Sequence, residues 1–176
     1  DGADLVEPGA GADQVDFSED TQSRDTLAFQ GDALGEAADI IYGFLQGLGG
    51  DVIDLTQLLD SLGDILPLVA TSNVPDGLVD GCVVRVVSEE ITGAGDLVRE
   101  LSAGGLLDPI NISGGQSSVF VVADSQDAGV AQDLYPASST GQTYDATHLA
   151  QFRGDYLDID NWTSDNFAVV APEVVA

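Results

Sequence analysis

The sequence predicts a mainly β (α+β) protein, with short parallel β-roll coils at the N-terminus leading into a β-sheet domain that carries one or two short helices. Three observations predict it. A nine-residue pattern stands in tandem at the start, so that Gly2 and Gly11, Asp4 and Asp13, and Val6 and Val15 each recur nine residues apart. Two segments with inward-spaced apolar residues follow, Asp39-Ile40-Ile41-Tyr42-Gly43-Phe44 and Gly50-Asp51-Val52-Ile53-Asp54-Leu55. Further on, Cys82-Val83-Val84-Arg85-Val86-Val87 and Val119-Phe120-Val121-Val122-Ala123 are β-branched and aromatic runs suited to buried strands.

In the first copies, glycine admits the turn, aspartate supplies an anionic oxygen, and the valine two residues later points into the coil. Gly2, Asp4, Gly9, Gly11 and Asp13 therefore form an all-oxygen set suited to a hard cation, Ca2+ above all, or else an acidic glycine-rich loop. Asp25-Thr26-Leu27 reads as a degenerate third coil reached across an insertion. In the next pair of segments, Ile41, Phe44, Ile53 and Leu55 are spaced to face inward. Asp39, Asp51 and Asp54 serve equally as turn caps or as calcium ligands.

Thr56 to Leu66 carries leucines and isoleucine at helical spacing up to Pro67, which predicts a core-facing amphipathic helix. Leu97 to Leu101 predicts a short helix ended by Gly104-Gly105. Tyr156 to Asp160 alternates apolar and acidic residues and predicts a half-exposed strand, and Phe167 to Val170 predicts a strand that closes the sheet. Trp162 and Phe152 are expected to pack that C-terminal sheet. The expected organisation is the end of a calcium-binding β-roll over residues 1–35 and a β-rich domain over 36–176.

The chain has 31 acidic residues, four arginines and no lysine, for a formal net charge of −27. Self-repulsion of this size opposes compaction and is relieved by bound divalent cations or by a saline medium. Arg24, Arg85, Arg99 and Arg153 are scattered singly, so nucleic acid is excluded as a partner. Attraction to an anionic bilayer is excluded likewise, and no apolar run approaches the length of a membrane span. Cys82 is the lone cysteine and is expected to be a packing residue. His148 is the lone histidine, with Asp145 close in sequence, and reads as a surface or turn residue. No catalytic set is assigned. Asp124, Asp127 and Asp133 could hold a further cation or solvate an acidic turn. Arg153-Gly154-Asp155 is assigned no function.

The second glycine-rich copy, Pro8-Gly9-Ala10-Gly11-Ala12-Asp13-Gln14-Val15-Asp16, resembles the G-G-x-G-x-D-x-U-x repeat of the repeats-in-toxin, or haemolysin-type calcium-binding, family, departing from it at Pro8. The Asp39 to Leu55 pair is similar to the D-x-I-x-x-F and G-D-x-I-D-L segment that follows the last repeats in that family. The ending Asp165 to Ala176, small and branched apolar residues behind a polar stretch, is similar to the C-terminal signals read by type I exporters. The resemblance implies that Asp4 and Asp13 are side-chain ligands, and that the backbone around Gly2, Gly9 and Gly11 supplies carbonyls. It further implies that upstream repeats have been lost from a chain beginning at Asp1.

The function expected is therefore a non-catalytic, calcium-stabilised C-terminal module of an exported bacterial surface protein: an adhesin, surface-layer or extracellular-filament component. Its expected partners are calcium, the type I secretion machinery and, through open β edges, other copies of itself. Two alternatives stand beside it. One is the same module as the tail of a secreted protease or lipase, and the other is an acidic domain of a halophile without specific calcium.

Overall fold

A computed structural model describes residues 2–29, 37–60, 62–64, 66, 74, 76–123, 131–154 and 157–169. Their fold is mainly β. In chain order the elements are β1 (Leu5–Val6), β2 (Gln14–Asp16), β3 (Thr26–Ala28), β4 (Asp39–Tyr42), β5 (Val52–Asp54), β6 (Gly77–Leu78), β7 (Val83–Val87), α1 (Ala94–Leu101), β8 (Ile110–Asn111), β9 (Ser117–Ala123), β10 (Ala131–Ser139), β11 (Tyr144–Ala146), β12 (Ala150–Arg153) and β13 (Phe167–Ala168). Single 3₁₀ turns span Ile159–Asn161 and Ser164–Asn166.

The first five strands alternate between two sheets. β1, β3 and β5 stack in parallel in one, while β2 and β4 stack in parallel in the other. This is a two-sided coil that advances by one strand pair per turn. The winding is completed from far away in sequence: β12 adds in parallel to β4, pairing Asp39 with Ala150 and closing the third coil, and β13 adds in parallel to β5, pairing Ile53 with Phe167 as the start of a fourth. The winding therefore continues past residue 35, where the nine-residue period fades. Residues between β5 and β12 are an insertion into it.

The insertion extends the second sheet. β10 pairs antiparallel with β12 and β9, β9 pairs in parallel with β7, and β11 folds back on β10. Because side chains alternate faces along a strand, one face of this sheet closes the core of the coils and the other builds a second core. Val119, Val121 and Ala123 join Leu27, Ile41, Ile53, Phe152 and Trp162 on the first side. Phe120, Val122 and Tyr135 meet Leu97 and Leu101 of α1 on the second. An aromatic cluster of Phe17, Phe44, Phe152, Trp162 and Phe167, with neighbouring ring centroids 5.0–6.1 Å apart, fills the end of the first core.

Several expectations meet the structure directly. Ile41, Phe44, Ile53 and Leu55 are all buried, as are Phe152 and Trp162. The helix ending before Gly104 is α1; Cys82, expected to be buried, is only half-buried, packed against the edge of the second core. Thr56 to Leu66 is different, because among its described residues there is one turn and no helix. Asp54 accepts bonds from the Thr56 backbone (2.9 Å) and hydroxyl (2.5 Å), which arrests the chain in a local turn. Beyond it, Gly63 and Leu66 donate to the carbonyls of Gly81 and Val83, so Leu58 and Leu59 reach the first core from the turn, while Leu62 packs on the first core and Leu66 on the second from the segment that follows. The strand expected at 156–160 is a 3₁₀ turn with Leu157 and Ile159 buried, capped by the Asp158 carboxylate on the Asp160 N–H at 3.0 Å. Tyr156, and the tail from Val170 onward, lie outside the described residues.

Arg85 fastens the insertion to the closing coil. From β7 its guanidinium donates to the carbonyls of Leu66 (3.2 Å), Ile159 (3.2 Å) and Asp160 (3.1 Å), and lies 3.6 Å from the Asp160 carboxylate.

Candidate metal centre

The residue before β1, the residue before β3 and the residue before β5 are all aspartates, and the parallel stacking aligns them. Asp25 Oδ1 accepts the Asp4 backbone N–H at 2.8 Å, and Asp51 Oδ1 accepts that of Asp25 at 2.9 Å. The second sheet repeats the device, with Asp39 Oδ1 accepting the Asp13 N–H at 2.8 Å. Each carboxylate thus caps the coil before its own.

Both oxygens of Asp51 are engaged, since the second takes the Leu45 N–H at 2.7 Å. Burial pushes the Asp51 carboxyl up from the ordinary carboxylate range; the backbone bonds from Leu45 and Asp25 oppose this, and the negative charges of Asp25 and Glu19 reinforce it. Burial likewise pushes Asp39 up, against the bond from the Asp13 backbone.

At the first coil the carboxylates gather. Asp4, Glu19 and Asp25 each offer an oxygen within 4.8 Å of the others, Asp4 exposed, Glu19 half-buried and Asp25 buried. Two oxygens about 2.4 Å from a common calcium ion lie no more than about 4.8 Å apart, so this spread suits joint ligation. Ser23 stands among them. Its hydroxyl donates to Glu19 Oε2, and lies 2.9 Å from the Gly2 carbonyl and 3.4 Å from Asp25 Oδ1. One hydroxyl proton serves one acceptor at a time. The Ser23 bond holds the Glu19 carboxyl below its usual range. A cleft of about 500 Å³, lined by Asp4, Asp16, Glu19, Asp20 and Asp25 among others, opens onto the trio.

The residues read as metal ligands from the sequence separate into groups. Asp4 is in the trio and the Gly2 carbonyl adjoins it through Ser23. Gly2, Gly9 and Gly11 all have positive φ, and the last two turn the chain between β1 and β2. Asp13 lies at the head of β2, outside the trio. Asp39 and Asp51 are backbone caps, and Asp54 holds the turn at Thr56.

A comparison with family models, curated proteins and solved structures returned no match.

The trio contains one member with no sequence signal. Asp25 stands in the Asp-x-apolar pattern of the coils, whereas Glu19 comes from an irregular segment that only the fold brings beside it. His148 also finds a partner the sequence did not indicate. Its Nε2 lies 2.9 Å from Asp133 Oδ1 on the neighbouring β10, and its ring stacks on Tyr135 at 4.7 Å. Asp133 takes a second bond from Gln151 at 3.0 Å. Asp124 and Asp127 lie outside the described residues.

Proposed function

We propose that the chain is a non-catalytic, calcium-stabilised C-terminal module of an exported bacterial surface protein, an adhesin, surface-layer or extracellular-filament component. The observation that carries the reading is the convergence of Asp4, Glu19 and Asp25 at the head of stacked parallel coils, in a chain of net charge −27. Three like charges so close oppose the stacking that brings them together, and a divalent cation reverses the sign of that contribution. The donors are all oxygen, which fits calcium. Gly2, Glu19 and Ser23 supply carbonyl, carboxylate and hydroxyl oxygens beside the two aspartates.

In this reading the chain stays open where calcium is scarce. Outside the cell, binding at the trio fixes Asp4 and Asp25, whose backbone and carboxylate already link β1 to β3. Binding energy becomes folding energy. Extracellular calcium modules commonly have dissociation constants of roughly 0.1–1 mM, which places such a switch between internal and external concentrations. Delivery by a type I exporter follows from the resemblance of the repeats and of the tail.

The test is a calcium titration of chelator-treated protein at constant ionic strength, followed by far-UV circular dichroism, with magnesium and sodium as controls. Asp25→Asn keeps an oxygen for the Asp4 N–H while removing the ligand charge. The expected result is folding driven by calcium, with the midpoint raised about tenfold or more in Asp25→Asn. A fold indifferent to calcium, or restored equally by sodium, overturns the reading.

A further inference from the structure

Among the four arginines, Arg85 and Arg99 are tied by several bonds each, the latter to Asp96 at 2.5 Å and Glu100 at 2.9 Å. Arg153 is held differently. Its Nε donates to Gln151 Oε1 at 2.6 Å, and its two terminal nitrogens have no partner among the described residues. It stands at the end of β12 in register with Tyr42 of β4. Both point away from the first core, since their neighbours Phe152 and Ile41 point into it.

These two residues line a cleft of about 490 Å³ together with Gln22, Gln46 and Asn161. That volume falls within the roughly 300–1,000 Å³ of small-molecule sites. The side chains of Gln22, Tyr42 and Asn161, like the terminal nitrogens of Arg153, have no partner among the described residues. Phe44 and Leu157 reach it only with the small part of each side chain that the first core leaves uncovered. No aspartate or glutamate is among its described lining residues, although the chain has 31 of them and the cleft beside the trio is lined mostly by carboxylates.

We propose that this cleft binds a neutral saccharide. Amide, phenol and guanidinium groups offer donors and acceptors that match vicinal hydroxyls. A carboxylated ligand would meet the repulsion of the whole chain, which a neutral one does not. This site stands apart from the calcium reading, because none of its residues belongs to the trio.

The experiment is amide chemical-shift mapping of the full chain in calcium buffer, titrated with a panel of neutral gluco-, galacto-, manno- and xylo-oligosaccharides and with an oligogalacturonate as the charged arm. Saturable shifts around Tyr42, Gln46, Arg153 and Asn161 are expected with at least one neutral member. Arg153→Ala and Asn161→Ala, each first checked for an otherwise unchanged spectrum, should weaken that binding about tenfold. The proposal is overturned by no saturable shift across the neutral panel, by shifts that both variants leave unchanged, or by a response to the oligogalacturonate alone.

Discussion

Asp51 holds Asp25 by its backbone: the carboxylate of one strand-leading aspartate accepts, at 2.9 Å, the N–H of its equivalent in the coil before. The other oxygen of Asp51 takes the Leu45 N–H. Removing the side chain with Asp51→Ala leaves two N–H groups without their acceptor. Each unmet buried group costs about 1–3 kcal/mol, so a loss of about 2–6 kcal/mol is expected in urea denaturation. Asp51→Asn, which can serve only one of the two donors with its single carbonyl oxygen, should lose less.

Burial raises the carboxyls of Asp39 and Asp51, and this fixes a sign for the pH dependence. A folded-state pKa above the unfolded value gives stability that is complete below the unfolded value, about 3.9 for aspartate, and is lost as pH rises through the folded one. In chelator, the melting temperature should therefore rise as pH falls from neutral toward about 4, and this rise should flatten in the double variant Asp39→Asn with Asp51→Asn. Asp16 and Glu19, held low by bonds from Ser18 and Ser23, act in the opposite sense, and their contribution is lost as pH falls through their own lowered values. A melting curve measured at each pH checks both limbs.

Asn166 pins the turn between β4 and β5 to the closing coil. It is fully buried; its Oδ1 accepts the Gly47 N–H at 2.9 Å and its Nδ2 donates to the Asp51 carbonyl at 2.9 Å. Asn166→Ala should cost about 2–4 kcal/mol. Hydrogen exchange should show the Gly47 amide losing protection earlier than amides of β9.

Gly43 closes β4 with φ +69°, and a Cβ there would lie 2.4 Å from the Ser18 backbone nitrogen. Gly43→Ala combines a disfavoured conformation with a backbone clash, and a loss of about 2 kcal/mol or more is expected by thermal or urea melting. Gly49→Ala has positive φ without the clash and should cost less.

Much of the winding was legible because its signals are local. The nine-residue spacing marks β1 and β2, Asp25-Thr26-Leu27 marks β3, and the apolar spacing of Ile41, Phe44, Ile53 and Leu55 marks β4, β5 and what they bury. The closing strands carry no such mark. Nothing in Ala150 to Arg153 announces a parallel partner at Asp39, because parallel pairing across a long insertion depends on the whole topology. The leucines of 56–66 misled for a related reason, since their helical period is overridden by the Asp54 turn and by pairing with Gly81 and Val83. Asp39 and Asp51 could be read as cap or ligand, and only the stacked coils show the N–H groups they hold. Glu19 was invisible because its place beside Asp4 and Asp25 is set by an irregular segment.

The pairing of β4 with β12 and of β5 with β13 also orders events in time. A ribosome releases the chain from its N-terminus, so Asp39 and Ile53 emerge long before Ala150 and Phe167 exist to meet them. Until then the third coil has no cover over Phe44 or the Asp51 turn, and bringing the two ends together must overcome the closure entropy of the whole intervening loop. The last coil is therefore a late step in folding, and this part of the chain keeps its open form until synthesis has reached β12 and β13.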